Sequence, residues 1–313
     1  MLTASDMSEL SSLPEPLHLA IGVFDGIHRG HQALLARALQ SAQEGGSAVA
    51  VSFDPHPIEV LRPGSAPRTL TAQRHKQHLL EDFGMDGFLV LPFTAAFACL
   101  EAPAFIERLL GQARVAEMIV GRDWCFGRAR SGNVEVLAKL GQERGFAVAV
   151  IEPVLHGGER VSSTRVREAV LRGSLEEAAA MLGRPYSVSG QVIRGKQVGR
   201  TIGYPTANLG LRNTQLPPTG VYAVRAKAWG QWWPGMANLG HRPTVEPSNE
   251  GGERLLETHL FDFEGDLYGT DMEIAFLDFL RGEQKFAGVA ALREQIRLDE
   301  KKARAVLATS FTR

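Results

Sequence analysis

The stretch "LHLAIGVFDGIHRGHQALLARALQSAQEGGSAVAVSF" (residues 17–53) decides the fold of the first half of the chain. Its two ends, "LHLAIGVF" and "SAVAVSF", are short apolar runs of the kind that form strands buried on both faces. Between them "HQALLARALQSA" repeats its apolar residues at helical spacing. A strand, a helix and a strand joined this closely make a βαβ unit with parallel strands and a right-handed crossover. The same alternation returns in "GFLVLPF" (87–93), "EMIVG" (117–121) and "FAVAVIEP" (146–153), with helix-like "AQRHKQHLLEDF", "PAFIERLLGQ" and "NVEVLAKLGQERG" between. Most of these helices stop at or near glycine, the usual terminator. The expected fold is therefore α/β with a doubly wound parallel sheet, and its ligands belong at the carboxyl ends of the strands.

Two more helices close this half. "SSTRVREAVLRG" (162–173) begins with residues suited to an N-cap, and in "SLEEAAAMLG" (174–183) Ser174 and Glu177 stand at capping-box spacing before Gly183. Beyond "RPYSVSG" the rhythm changes. "GQVIRG", "GVYAVRAKAWG", "RLLETHLFDF" and "TDMEIAFLDFL" read as strands separated by turn residues, and helical periodicity returns only in "VAALREQIRLDEKKARAVLA" (289–308). We expect one domain over 1–185 and a second, an antiparallel sheet or small barrel with a C-terminal helix, over 186–313.

The chain has 313 residues, enough for two cores, with 44% hydrophobic and 22% charged residues, as in ordinary globular proteins. Residues 1–185 hold 18 basic and 21 acidic groups and the remainder 16 and 14, so neither half carries the excess expected of a nucleic-acid binder. The start "MLTASDMSEL" lacks a basic segment followed by an apolar core. No apolar run approaches the roughly 18 residues of a membrane span. Cys99 and Cys125 are too few for a disulfide framework or a four-cysteine zinc site. A cytoplasmic protein without membrane or nucleic-acid partners is expected, and nothing indicates homo-oligomerisation.

The turn "GVFDGIHRGH" (22–31) lies where the first strand becomes a helix. A glycine-bearing turn there gathers backbone N–H groups at the positive end of the helix dipole and favours phosphate. His28 and His31 add donors, and Gly30 leaves room for close approach. The residues alone leave other readings open: a plain turn, or zinc held by His28, His31 and His56 with Asp25 or Asp54. "SFDPHP" (52–57), "VGRDWCFGRARSGN" (120–133) and "RVSSTRVR" (160–167) also follow predicted strands and should meet the turn at one sheet edge. Ser163, Thr164 and Arg167 there offer hydroxyls, N–H groups and a guanidinium for phosphate charge.

"GVFDGIHRGH", "SFDPHP", "VGRDWCFG" and "VSSTRVR" together resemble the adenylyltransferase half of the bacterial bifunctional riboflavin kinase/FAD synthetases, which is similar to other nucleotidyltransferases with an H-x-G-H motif. The resemblance implies that His28 and His31 bind the triphosphate of ATP and act catalytically through charge stabilisation, with Gly22, Phe24 and Asp25 of the same motif beside them. It assigns phosphate contacts to Arg160, Ser163, Thr164 and Arg167 and a nucleotide contact to Asp123, where many relatives carry Asn or Asp. Phe53, His56 and Pro57 would line the side receiving FMN. The chemistry asks for no protein base. The second pKa of a phosphate monoester is about 6, so FMN's phosphate is already largely ionised when it attacks the α-phosphorus of ATP. Alignment and charge neutralisation remain, with Mg²⁺ on the leaving pyrophosphate.

In the second half, "GKQVGRT" (195–201) looks like a Walker A loop, but it is one residue short and has Arg200 in place of the lysine. A glycine-rich connection can still wrap phosphates with its N–H groups, which points to Gly195 and Gly199. "PTAN" (205–208) follows. Thr206 and Asn208 offer hard oxygen ligands suited to Mg²⁺ and, two apart on a strand, face the same way. "GQVIRGKQVGRTIGYPTANL", "LPPTGVYAV", "GMANLGHRPTV", "LLETHLFDFEGDLYG" and "FLRGEQKF" resemble, in order, nearly the whole riboflavin kinase domain, a small antiparallel barrel. That resemblance implies Mg²⁺–ATP binding by Thr206 and Asn208 and makes Glu257 the catalytic base. A base is needed here, because the ribityl 5′-hydroxyl is neutral and must lose its proton as it attacks the γ-phosphorus. The polar loop 246–254, "EPSNEGGER", varies in that family. Trp229, Trp232 and Trp233 read as packing or exterior rather than a flavin platform. The expected substrates are ATP, riboflavin and FMN, with flavin as substrate and product and Mg²⁺ as the metal.

Overall fold

The structure, a computed structural model, describes residues 1–195, 199, 202–211, 213–241 and 254–309. Its first sheet has six strands: β1 (Leu2–Ala4), β2 (Leu17–Ile21), β3 (Ser47–Asp54), β4 (Gly87–Pro92), β5 (Val115–Gly121) and β6 (Ala147–Ile151). They lie in the order β1-β4-β3-β2-β5-β6, and every pairing is parallel. The helices between them are α1 (Arg29–Ala42), α2 (Pro57–Leu61), α3 (Gln73–Asp82), α4 (Ala95–Ala98), α5 (Ala102–Leu110) and α6 (Val134–Arg144). Alternate residues of each strand serve opposite faces. Leu17, Leu19 and Ile21 of β2 join Val49 and Val51 of β3 in one core with Phe105, Ile106 and Leu109 of α5. Ala20, Ala48 and Ala50 form the other core with Leu34, Leu35 and Ala38 of α1. The chain moves from β2 outward to β3 and β4, then returns to add β5 and β6 on the opposite side of β2. That reversal makes the carboxyl ends of β2 and β5 the switch point, where doubly wound sheets bind ligands.

A two-stranded hairpin of β7 (Leu155–His156) and β8 (Glu159–Arg160) leads into α7 (Ser163–Arg172) and α8 (Leu175–Leu182). Gly183 ends α8 in the left-handed conformation, as its position suggests. Ser174 makes no side-chain cap, contrary to the capping-box spacing. Glu177 is drawn instead to Arg172, at 3.2 Å.

The second half is a closed barrel of β9 (Ser187–Ile193), β10 (Ala207–Gly210), β11 (Gly220–Ala228), β12 (Gln231–His241), β13 (Arg254–Leu260) and β14 (Asp271–Arg281), ordered β10-β13-β12-β11-β14-β9 and antiparallel throughout. Its C-terminal helix is α9 (Val289–Thr309). Trp229 and Trp232 at the β11–β12 hairpin are 60% and 46% exposed, and Trp233 packs edge-on against Phe263. The chain divides into two compact units, one of Met1–Arg68 with Lys76–Ser163 and the other of Thr69–His75 with Thr164–Arg313. In space α8 and most of α7 therefore group with the barrel, together with a short segment from between α2 and α3. Residues 246–253 of the polar loop lie outside the described residues.

Candidate active sites

In the first unit the turn after β2 carries positive φ at Phe24 (54°), Gly26 (86°) and Ile27 (41°). Its side chains settle into fixed places. The Phe24 ring is fully buried in the core, so its contribution to a ligand is through the backbone, and Asp25 is also buried. His28 is the N-cap of α1 and accepts a hydrogen bond from the His31 backbone N–H at Nδ1, 3.3 Å away. The two imidazoles stack, 3.7 Å apart and 16° from parallel, with the Phe24 ring edge-on to His31. A Cβ on Gly30 would stand 3.1 Å from His28 Cε1 and Nδ1, so the glycine between the histidines permits this stacking. Burial, with the nearby His28 ring and the positive groups of Lys76 and Arg160, holds His31 well below the usual imidazole range, and His31 is neutral at pH 7. No group of three or more His, Cys, Asp or Glu side chains among the described residues is arranged to hold a metal. Stacked rings, one committed to a cap, do not converge on a zinc ion.

Of the other residues singled out from the sequence, Ser163 meets this turn. Ser163 Oγ donates to the Asp25 carbonyl at 2.8 Å. Thr164 and Arg167 lie on the same helix, α7, one and four residues further on. Asp123, just beyond β5, pairs with Arg160 of β8 at 2.6 Å, which holds the carboxyl below its usual pKa against the opposing effect of burial. Gly22 directly follows β2. His56 caps α2, with Pro57 as its first residue. Phe53 is buried at 8% exposure and packs on Phe93, Phe97 and Phe105, which makes it first a core residue. Lys76 was not legible as a site residue. It reads as one more charge on a helix, yet it is buried and its Nζ donates to the Val23 carbonyl at 2.9 Å.

In the second unit a cavity of about 710 Å³ opens on the barrel wall, lined in part by Gly195, Gly199, Thr206, Asn208, Asn238 and Glu257. Alternation along β13 buries Leu256, Thr258 and Leu260 and turns Leu255, Glu257 and His259 toward the cavity. Register then builds a row across three strands, since Glu257 stands opposite Asn208 of β10 on one side and Asn238 of β12 on the other. Burial raises the Glu257 pKa above the ordinary carboxyl value, and a hydrogen bond from Asn238 works against that rise. Asn208 Oδ1 is buried with no hydrogen-bond partner among the described residues, an acceptor open to a ligand. A Cβ on Gly195 would collide with Asn208 Nδ2, and one on Gly199 with the Tyr204 carbonyl, at 3.4 Å from Thr206 Oγ1. An unpartnered amide oxygen, a hydroxyl and glycine backbone at close range are the hard, compact donor set that a divalent cation with nucleotide phosphates requires.

Asn238 and Arg281, which also line this cavity, had no assigned role in the sequence. Asn238 sits within "GMANLGHRPTV", and Arg281 within "FLRGEQKF", where the buried Asp299 holds its guanidinium at 2.8 Å. The signal for Asn238 is register with Glu257, which a sequence does not display.

Known proteins match this chain along most of its length. The family model for FAD synthetase matches residues 10–165, and that for riboflavin kinase matches residues 182–307. A bifunctional riboflavin kinase/FMN adenylyltransferase of Escherichia coli (strain K12) is 42% identical over 299 residues, 94% of each chain. One from Bacillus subtilis (strain 168) is 36% identical over 289 residues, covering 91% of this chain and 90% of its own. A crystal structure from Streptococcus pneumoniae, described as a macrolide-efflux protein, superposes with a TM-score of 0.80 at 31% identity, covering 97% of this chain and 99% of that one. Efflux is that protein's description, and among the described residues here no helix is long and apolar enough to cross a membrane.

Proposed function

Because the chain belongs to the bifunctional riboflavin kinase/FMN adenylyltransferase family, we propose that its two sites divide the two reactions between residues 1–185 and 186–313. The chain phosphorylates riboflavin with ATP to give FMN, and adenylylates FMN with ATP to give FAD and pyrophosphate.

The observation that carries the kinase assignment is the row Asn208–Glu257–Asn238, with the unpartnered Asn208 oxygen at one end. Glu257 takes the proton of the ribityl 5′-hydroxyl as that oxygen attacks the γ-phosphorus of ATP. Asn238 orients the carboxylate, so the basic oxygen faces the cavity. Thr206 and Asn208 would hold Mg²⁺, which would supply charge neutralisation on the phosphates. Gly195 and Gly199 bring backbone close to those phosphates.

At the first site His28 and His31 face the triphosphate of the second ATP, with Gly22, Asp25 and the Phe24 backbone shaping the turn around it. Ser163, Thr164 and Arg167 at the start of α7 take phosphate charge. Arg160 and Asp123 stand as a pair beside the nucleotide, and ligand binding would trade part of their mutual contact for phosphate and base. Phe53, His56 and Pro57 line the flavin side. The FMN phosphate oxygen attacks the α-phosphorus and pyrophosphate leaves; His31, neutral before binding, donates hydrogen bonds rather than exchanging protons.

Position-specific labels test the division. With ATP labelled at the γ-phosphorus, wild type should place label in FMN, and with ATP labelled at the α-phosphorus and unlabelled FMN it should place label in FAD. Glu257→Ala should abolish the first transfer and keep the second. Loss of both together in that variant would contradict the assignment.

A further inference from the structure

The turn that carries His28 holds a strained backbone, and side chains bind its carbonyls one after another. Val23 O accepts from Ser52 Oγ and from Lys76 Nζ, each at 2.9 Å. Asp25 O accepts from Ser163 Oγ at 2.8 Å, and Ile27 O from Gln32 Nε2 at 2.9 Å. Of these four donors one is an ammonium that is only 6% exposed. Lysine is rarely buried, because taking its charge out of water is costly unless partners compensate. Here Asp25 and Asp54 face it, and burial pulls its pKa down while the two carboxylates oppose that shift. Lys76 lies one helical turn before Leu80, on the face of α3 that enters the core, so an apolar residue would fill the same place at lower cost.

We propose that Lys76 is a positioning residue for adenylyl transfer: by donating to the Val23 carbonyl from α3 it fixes the turn that presents His28 and His31 to the nucleotide phosphates. The proposal rests on the adenylyl-transfer reading of this site. Lys76 also faces His31 along with His28 and Arg160, so its charge helps to keep the His31 imidazole neutral. Lys76 touches no reacting atom and acts through the turn.

The full chain carries its own control, since riboflavin phosphorylation reports on the barrel and FMN adenylylation on the turn. Lys76→Met should lower kcat/KM for ATP in FMN adenylylation about 10- to 100-fold while leaving riboflavin phosphorylation unchanged. Ser52→Ala should lower the same constant by a smaller factor. The double variant should be no worse than Lys76→Met alone, because both donors work through one carbonyl. In NMR titrations the His31 pKa should rise in Lys76→Met, because one of the charges that holds it down is removed. Wild-type kcat/KM in Lys76→Met, or losses that multiply in the double variant, would overturn the proposal. Should circular dichroism show Lys76→Met unfolded, Ser52→Ala decides: a loss supports the role and a wild-type rate overturns it. Failure of the wild-type chain to convert FMN to FAD would overturn the reading of the site itself.

Discussion

At Glu257 two opposed effects set the chemistry: burial favours the neutral acid, and the Asn238 hydrogen bond favours the carboxylate. Burial prevails, so the folded pKa lies above the ordinary value, and the basic form is lost at a higher pH than for a solvated glutamate. Riboflavin phosphorylation should therefore fall on the acid side through a group titrating above the usual carboxyl range. A pH profile of kcat/KM that stays flat down to pH 4.5 would contradict Glu257 as the base. Glu257→Gln should cost about 10²- to 10⁴-fold in that reaction and leave FMN adenylylation intact. Gly30 gives a complementary test in the other unit. An alanine there would favour the helix by up to ~1 kcal/mol, yet its Cβ presses on the His28 ring. Gly30→Ala should hold or raise the melting temperature while lowering adenylylation about tenfold, measured as kcat/KM for ATP. These residues were legible because their types are unusual in a turn or a strand. Lys76 was not, since only burial distinguishes it from a solvated helix lysine, and burial there follows from contacts with residues 23, 25 and 54.

Among the elements, β13 joins core to site by alternation: Leu256 is fully buried and Glu257 next to it faces the cavity. Leu256→Ala should cost about 2–5 kcal/mol in urea unfolding of the barrel, as a cavity-forming core substitution. Gly195 follows β9 and meets the Asn208 side chain from β10. Gly195→Ala should raise the KM for Mg²⁺–ATP in riboflavin phosphorylation with adenylylation unaltered, and an unchanged KM would argue against Asn208 as a ligand. The parallel sheet was readable because its central strands are continuous apolar runs, and the helices between them end at glycine. Other strands were not. β1 is three residues long, too short for periodicity, and β12 contains Pro234, which argues against a central strand. The structure reconciles that proline with the barrel: pairing of β12 with β13 begins at Gly235, so Pro234 lies beyond the doubly paired stretch. Ser174 misled for the opposite reason, since a local cap pattern lost its glutamate to Arg172.

On the scale of the whole molecule the two halves follow different local rules, and the change of rhythm after residue 183 is visible in the sequence. Membership of the segment Thr69–His75 in the barrel unit is not, because its partners are more than a hundred residues away. Thr69 exchanges backbone hydrogen bonds with Asn213 and Gln215, the Tyr186 hydroxyl donates to the Leu70 carbonyl at 3.4 Å, and His75 meets Glu273 at 3.2 Å. Each such bond contributes roughly 0.5–1.5 kcal/mol. A fragment of residues 164–313 should thus unfold at lower urea concentration than the barrel in the full chain, and equal midpoints would contradict this role for the segment. The central claim is that one chain holds two separable sites, with His28 and His31 serving one and Glu257 the other. The most direct measurement is a chromatographic time course of riboflavin, FMN and FAD with ATP and Mg²⁺. We expect wild type to pass through FMN to FAD, His28→Ala/His31→Ala to stop at FMN, and Glu257→Ala to convert supplied FMN but not riboflavin. Wild type that stops at FMN, or a histidine variant that still makes FAD at the wild-type rate, would contradict it.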